Sequence, residues 1–126
     1  MDAPYYKTME TILHNGVTLA VIQEDQLVIR ETQDALDLMA EARYLGSDCL
    51  ILAAENLDPA FFDLKTRLAG EILQKFSNYR MRLAIVGDFS GFQSKSLKDF
   101  IKESNRTGRV IFVPTAEEAR QLLSGK

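Results

Sequence analysis

The chain has very few of the residues that form disulfides, soft-metal sites and thiol or imidazole catalytic centres. It contains one cysteine, one histidine and no tryptophan in 126 residues. A single cysteine excludes an internal disulfide and is typical of a reducing compartment, so we expect a cytoplasmic protein. One histidine and one cysteine supply too few ligands for zinc or haem. We therefore expect neither a metal nor a cofactor.

A large excess of positive charge and long apolar runs are also missing. The net charge is −3, from 15 Lys and Arg against 18 Asp and Glu, whereas a general nucleic-acid binder needs a basic surface to neutralise phosphates. No apolar run approaches the ~18 residues of a membrane-spanning helix. The first residues, MDAPYYKTM, lack a basic segment followed by an apolar one. We therefore expect no secretory signal, no membrane and no nucleic-acid partner.

What is present is typical of one globular domain. Apolar residues make up 46% of the chain and charged residues 26%, which are ordinary values for such a domain. A chain of this length buries roughly two-thirds of its unfolded surface on folding. We expect a single domain over residues 1–126, with residues 1–8 as a loose tail because they carry little pattern.

Apolar runs, turn residues and capping residues divide the chain into strands and helices. Asn15-Gly16 between two apolar runs indicates a hairpin, because both turn positions need positive φ. Capping residues and apolar residues at helical spacing indicate four helices. The predicted elements are strands over 10–15 and 17–23, a short strand over 27–30, a helix capped by Thr32 and ended by Gly46, a strand over 49–54, a helix from Pro59 to Asn78, a strand over 83–86, a helix opened by Ser94 or Ser96 and ended by 105–108, a strand over 109–114 and a helix capped by Thr115 and ended by Gly125.

This order predicts an α/β fold in which an N-terminal β-hairpin precedes β-α units. Such an order gives a mixed sheet with a parallel portion and covering helices. Cys49 opens the continuous apolar run CLILAA and is interpreted as a core residue rather than a nucleophile. His14 precedes the hairpin turn and is predicted to be exposed.

The long second helix carries an alternating row of charges. Asp63, Arg67, Glu71 and Lys75 lie four residues apart, so successive pairs meet along one solvated face for about 0.2–0.5 kcal/mol each. This makes the two carboxylates poor candidates for acid–base catalysis. Gly70 inside the helix costs about 1 kcal/mol relative to alanine and indicates close packing against a strand or a second chain.

Any binding site is predicted in the segment from Met81 to Ser104, where a buried strand, a polar loop and a helix follow each other. Ligands of open α/β sheets bind beyond the carboxyl ends of strands. The loop GDFSGFQSKS resembles a phosphate loop, but Ser94 stands where that motif needs glycine, so a nucleotide triphosphatase is not expected. The serines and Lys95 are still able to hold a carboxylate or phosphate at the helix N-terminus.

A second loop is expected at the same edge of the sheet. If the strands before Glu55-Asn56 and Asp88 are neighbours, these side chains share one polar mouth. Two carboxylates there would serve as acid and base or hold a hard cation, although they more often cap loops. The candidate ligand-binding residues are Glu55, Asn56, Asp88, Ser90, Ser94, Lys95 and Ser96.

Three functions follow, and no catalytic residue is assigned. The first is a non-enzymatic domain that binds a protein partner, a small ligand or a second copy of itself, with Phe61, Phe89 and Phe92 as the binding patch if these aromatic residues prove to be exposed. The second is a small enzyme or metabolite sensor that uses the mouth formed by Glu55, Asn56, Asp88 and Lys95. The third is an apolar-ligand carrier, which requires a large cavity between sheet and helices.

The element order resembles the STAS or SpoIIAA-like fold. This resemblance implies a bacterial regulatory domain with a phosphorylatable Ser or Thr just after an Asp, at the start of the helix after the third strand. Asp63 matches that Asp, but Leu64 and Lys65 follow it, and Thr66 is expected to lie too deep in the helix. Four blocks also resemble the DUF4180 family of bacterial proteins, which has no assigned molecular role: QDALDLMAEARYLG, ENLDPAFFDLKTRLAGEILQKF, MRLAIVGDFS and SKSLKDFIKESN.

Overall fold

A five-stranded sheet and four α-helices make up the fold in the computed structural model, which describes residues 9–125. The predicted α/β fold with an N-terminal hairpin is confirmed, and the predicted tail over residues 1–8 lies outside the described residues. The strands are β1 (Met9–His14), β2 (Val17–Ile22), β3 (Cys49–Ala53), β4 (Arg82–Val86) and β5 (Val110–Val113). The helices are α1 (Thr32–Tyr44), α2 (Leu68–Asn78), α3 (Lys95–Thr107) and α4 (Ala116–Ser124).

The strands lie in the sheet in the order in which they occur in the chain, β1-β2-β3-β4-β5. β1 and β2 are antiparallel, and every later pair is parallel. Three successive right-handed crossovers that step in the same direction place their helices on the same face. Accordingly, α1, α2 and α3 pack on one face of the sheet, and α4 alone packs on the other.

Each face of the sheet has its own apolar core. The larger core joins residues of α1 and α2 to the sheet around Leu50, Leu83 and Ile85. The smaller core joins Ala119 and Leu123 of α4 to the opposite side of the strands. Cys49 belongs to this smaller core, and burial raises the pKa of its thiol. The interpretation of Cys49 as a core residue agrees with this position.

The hairpin and several helix ends have the predicted geometry. Asn15 and Gly16 have φ values of 52° and 81°, as a two-residue hairpin turn requires. Gly46 follows α1 with φ 92°. Ser94 and Thr115 cap α3 and α4, since their hydroxyl oxygens accept hydrogen bonds from the N–H groups three residues later.

The predicted strand over residues 27–30 is wrong. Only Ile29 forms a β-bridge, to Leu57, outside the sheet. The Asn56 carbonyl accepts hydrogen bonds from the N–H groups of Val28 and Ile29, and Ile29 accepts one from Asp58. The segment therefore bonds to the loop after β3 instead of to a neighbouring strand.

The start of α1 differs from the prediction by one residue. Thr32 is the first helical residue, and Glu31 takes the capping position. The cap comes from Asp34, whose carboxylate accepts hydrogen bonds from the N–H groups of Arg30 and Glu31 at 2.9 and 3.3 Å. The Thr32 hydroxyl instead donates to Glu71 of α2, at 3.0 Å.

The first half of the predicted helix over 59–78 is also wrong, because two short 3-10 turns precede α2, whereas α2 itself confirms the second half. These turns span Pro59–Phe62 and Leu64–Thr66, and Arg67 then adopts a left-handed conformation with φ 67°. A helix cannot pass through that conformation, so Asp63 and Arg67 do not share a helix face with Glu71. The predicted row of four charges is therefore absent.

Gly70 does not pack closely against a strand of its own chain, so this alternative of the prediction is wrong, whereas packing against a second chain stays a prediction. It is exposed, and a Cβ atom built on it would meet no atom within 4 Å. Replacing Gly70 with alanine is therefore expected to stabilise the protein by about 0.5–1 kcal/mol, since alanine favours the helix. Urea denaturation measures the change. The matched control is Gly108→Ala, which is expected to destabilise because Gly108 has φ 84°; equal effects at both positions would contradict the prediction.

Candidate functional site

The two loops expected to share a polar mouth do follow neighbouring strands. Ala53 at the end of β3 pairs with Val86 at the end of β4. Glu55 and Asp88 each lie two residues further along, and both are exposed. The structure therefore brings the two carboxylates to the same edge of the sheet. Ligand binding by these residues stays a prediction, and the hydrogen bonds of each residue show what it does in the free chain.

Asn56 holds two loops together. Its side chain is 1% exposed. Its Oδ1 accepts a hydrogen bond from the Ala53 N–H at 2.8 Å, and its Nδ2 donates to the Glu24 and Gln26 carbonyls at 3.0 and 2.8 Å. All its polar atoms are thus engaged with the backbone, and the loop after β2 is tied to the end of β3.

Asp88 organises its own loop. Its carboxylate accepts hydrogen bonds from the N–H and the hydroxyl of Ser90 at 3.0 and 2.7 Å. These bonds hold the pKa of the Asp88 carboxyl below its usual range. A lowered pKa favours the ionised form, whereas a general acid needs a raised one. The hydrogen bonds are therefore lost only as the pH falls through this lowered pKa.

The remaining polar candidates lie at the start of α3. Ser94 caps the helix through the Leu97 N–H at 3.1 Å. Lys95 forms an exposed ion pair with Asp99, with 2.9 Å between Nζ and Oδ2. Ser96 is exposed in the first turn of the helix. Capping and an i,i+4 ion pair account for Ser94 and Lys95 without a ligand.

Phenylalanine side chains fill the space beside this polar edge. Phe61 is 1% exposed, so its predicted exposure is wrong. Phe89 and Phe92 are half-buried. Phe62 stacks on Phe92 with ring centroids 5.1 Å apart, and Phe89 packs edge-on against Phe112 at 5.4 Å. The aromatic residues therefore fasten the loop after β4 onto the larger core.

The strand order of the sheet places no reversal at this edge. Ligands of doubly wound sheets bind where the strand order reverses, because the two flanking helices then lie on opposite faces and leave a gap. In this chain the order from β2 to β5 does not reverse. This part of the sheet therefore has no switch point, and the rule that predicted a ligand site at the loop after β4 does not apply to it.

Gly87 lets the two loops approach each other. A Cβ atom on Gly87 would lie 2.9 Å from Cβ of Ala54 and 3.3 Å from the Phe89 ring. Gly87→Ala is expected to destabilise the protein by about 1–3 kcal/mol, because either the turn after β3, which contains Ala54, or the loop after β4, which contains Phe89, must shift. Thermal and urea unfolding measure the loss, and Gly91→Ala is the control because no atom lies within 4 Å of its Cβ position. A Gly87 variant as stable as the wild type would contradict the close approach.

A large open groove lies elsewhere, between α2 and α3. Two cavities of about 590 and 480 Å³ share Phe100 in their linings. We call this surface the α2/α3 groove and define it by Gly70, Leu73 and Ser77 on α2 and by Phe100, Ser104 and Thr107 on α3. The two helices make few contacts with each other. Sequence analysis missed this groove, although small residues at helical spacing on both helices were a usable signal.

Charged residues surround the apolar floor of the groove. Glu103 on α3 forms an ion pair with Arg106 at 2.6 Å, and hydrogen bonding from that guanidinium lowers the pKa of the Glu103 carboxyl. Arg109 donates to the Met81 carbonyl at 3.1 Å. The groove is therefore an apolar strip with an ionised rim.

Thr66, just before α2, is not where the sequence placed it. It ends the short 3-10 turn before α2 and does not lie within an α-helix. Its hydroxyl oxygen accepts a hydrogen bond from the Leu68 N–H at 3.2 Å. Its Oγ1 also lies 2.7 and 2.8 Å from the carbonyl oxygens of Ala60 and Asp63. The expectation that Thr66 lies deep in a helix is therefore wrong, and Thr66 caps the first turn.

Among residues 9–125, no three His, Cys, Asp or Glu side chains come together in a way that could hold a metal ion. No helix of these residues has the length and apolar character needed to cross a membrane.

Comparison with known proteins identifies a family. The model of a domain of unknown function, DUF4180, matches residues 14–123, from the end of β1 to the last turn of α4. No curated protein and no solved structure matches the chain. Because the match covers far more than half of the residues, this chain belongs to the DUF4180 family.

Proposed function

We propose that this chain is a non-enzymatic, STAS-like binding domain of a bacterial cytoplasmic protein. Its ligand is a helical segment of a protein partner, which lies in the α2/α3 groove. The observation that carries the proposal is the groove itself, an open channel with an apolar floor between two helices that scarcely touch.

The shape of the groove favours a helix over a small molecule. Helix α2 has 11 residues, which corresponds to about 16 Å of length. Small-molecule sites enclose most of their ligand, whereas an amphipathic helix lies in an elongated groove and stays exposed on its polar side. Gly70, Ser77 and Ser104 are small enough to let another helix backbone come close.

The composition of the groove defines the chemistry of the partner. Leu73, Phe100 and Val110 offer an apolar floor, and Asp99 and Glu103 add carboxylates along its α3 side. These two carboxylates already form ion pairs with lysine and arginine of α3. A partner helix is therefore expected to bind through apolar residues at i, i+3, i+4 and i+7, with polar residues of either sign beside them.

The other two functions receive less support from the geometry. For the enzyme or sensor, the edge with Glu55 and Asp88 has its Asn56 and Asp88 engaged in loop hydrogen bonds and a lowered carboxyl pKa. For the carrier, the cavity of about 590 Å³ lies between two helices, whereas the space between sheet and helices holds the larger core.

Site-specific photo-crosslinking tests the proposal. A benzophenone amino acid is placed at Ser77 in the groove, or at Gln121 on the opposite face, in cells that naturally make the protein; both positions are exposed. We expect a crosslinked protein from position 77 only, with the crosslink mapped by mass spectrometry to a helix of the predicted pattern. Equal crosslinking from position 121 would contradict the proposal.

Blocking the groove provides the matched control. Gly70→Trp places an indole ring in the channel, at a position where no atom lies within 4 Å of the Cβ. We expect it to abolish the crosslink from position 77 while the thermal unfolding curve is retained. Asp88→Ala and Lys95→Ala are expected to leave the crosslink unchanged. A thermal-shift response to a small metabolite that these two variants remove would instead favour the sensor.

A further inference from the structure

The outward backbone groups differ in their hydrogen bonding between the two edges of the sheet. At the β5 edge, side chains of α3 occupy the outward backbone groups. Asn105 accepts a hydrogen bond from the Phe112 N–H at 2.6 Å and donates to the Phe112 carbonyl at 3.2 Å. The Ser104 hydroxyl donates to the Val110 carbonyl. This edge is therefore closed to further strands by its own chain.

The β1 edge has no such protection within the described residues. In a hairpin with a two-residue turn, the residues that flank the turn form a hydrogen-bonded pair, here His14 and Val17. Alternation then directs the backbone groups of Thr11 and Leu13 outward. No described residue forms a hydrogen bond with these groups. The strand METILH also contains neither proline nor lysine, two residues that commonly guard sheet edges.

Side chains on β1 add to this open edge. Leu13 is 74% exposed. Glu10, Ile12 and His14 share the other face of the strand, and the Nε2 atom of His14 is buried without a hydrogen-bond partner. The strand thus carries an exposed apolar residue, one carboxylate and one imidazole. The Nε2 atom of His14 is enclosed by its own chain, so the predicted exposure of His14 is wrong.

We infer that β1 pairs antiparallel with β1 of a second copy, so that two sheets join into one of ten strands about a two-fold axis at Ile12. In this register Glu10 lies opposite His14 of the second copy, and Ile12 lies opposite Ile12. Thr11 and Leu13 exchange backbone hydrogen bonds with Leu13 and Thr11 of the second copy. The side chains of β1 are therefore complementary to themselves, with a carboxylate opposite an imidazole and isoleucine opposite isoleucine, and this match identifies the partner as the same chain.

Neighbouring registers lack this match. An axis at Glu10 would place two carboxylates opposite each other, which is unfavourable. An axis at Thr11 would leave Glu10 opposite Ile12 of the second copy. The inference is independent of the α2/α3 groove, which lies over β3 to β5, away from β1.

Cysteine crosslinking tests the register. Residues opposite each other in a non-hydrogen-bonded antiparallel pair have Cα atoms about 4.5 Å apart, within the range of a disulfide. Ile12→Cys in a Cys49→Ala background is therefore expected to form a disulfide-linked dimer under mild oxidation. Thr11→Cys in the same background is expected to stay unlinked, because its Cα would lie more than ~7 Å from its counterpart. Crosslinking at position 11 that equals that at position 12 would overturn the inference.

Solution mass tests the association itself. Light scattering across the micromolar to millimolar range is expected to give about twice the chain mass of 14.2 kDa. Thr11→Pro is expected to halve that mass and leave the circular dichroism spectrum unchanged, because it removes an outward N–H that β2 does not use. The control is Lys98→Pro, at an exposed position of α3. It would disrupt that helix and is expected to change the spectrum. A wild-type chain that stays monomeric throughout overturns the inference.

Discussion

Replacing Asn56 with alanine is expected to destabilise the protein by about 3 kcal/mol. The change removes the acceptor for the Ala53 N–H and the donors for two carbonyls, and unpaired buried groups cost about 1–3 kcal/mol each. Both the free energy of unfolding in urea and the thermal midpoint should fall. Because Asn56 ties the loop after β2 to the end of β3, the expected loss reflects two segments at once.

Two variants separate this structural role from ligand binding. Glu55→Ala, at the exposed neighbouring position, is expected to change stability by less than about 0.5 kcal/mol. Asn56→Asp keeps an acceptor for Ala53 but turns a carboxylate toward the carbonyls of Glu24 and Gln26, so it should be as destabilising as alanine. An Asn56→Ala protein with wild-type stability would show that these hydrogen bonds contribute little.

Phe61→Ala is expected to cost about 3–5 kcal/mol, the usual loss for a buried phenylalanine. The Phe61 ring packs edge-on against Phe62 at 5.0 Å and also faces Phe112 at 6.3 Å. Truncation leaves a cavity where the loop after β3 meets the larger core. The measurement is again the urea unfolding free energy, with circular dichroism to establish that the native state persists.

The comparison with Phe92 distinguishes a core residue from an interface residue. Phe92 is half-buried and stacks only on neighbouring loop aromatics, so Phe92→Ala is expected to cost less than half as much. If Phe61→Ala kept its stability but lost association with a partner, the sequence-based assignment of Phe61 to an exposed patch would regain support.

Local signals predicted most of the framework. Apolar runs located all five strands of the sheet, and Asn15-Gly16 fixed the hairpin because few residues tolerate positive φ at two successive positions. Ser94 and Thr115 marked helix starts because their caps involve only the following three residues. These features depend on short stretches of chain, so a sequence contains the information needed to recognise them.

The errors arose where distant residues decide the outcome. Residues 27–30 have a strand-like pattern, but the Asn56 carbonyl competes for their N–H groups. The segment between Pro59 and Arg67 is the exception, because local caps from Asp58 and Asp63 favour short turns over a continuous helix. The burial of Phe61 depends on Phe112, which lies 51 residues further along the chain.

The candidate site was the least predictable part of the molecule. The carboxyl edge was chosen by a rule that assumes a reversal of strand order, and a sequence of β-α units does not reveal whether one occurs. The α2/α3 groove depends on the separation of two helices, which no single segment encodes. Asn105 was likewise missed because its partner, the backbone of Phe112, is recognised only once β5 is placed at the edge.

The unbroken strand order also governs how the chain assembles. Each strand pairs with the one made just before it, so every β-α unit is able to dock while synthesis continues, with little cost in loop closure. Helix α4 is the exception, because it crosses to the bare face and contacts strands from β2 to β5. Its Ser124 lies 3.3 Å from Asn15 of the first turn. Because α4 follows β5 in the chain, it is the element that completes the smaller core, and a nascent chain that ends at β5 leaves that face of its sheet open to water.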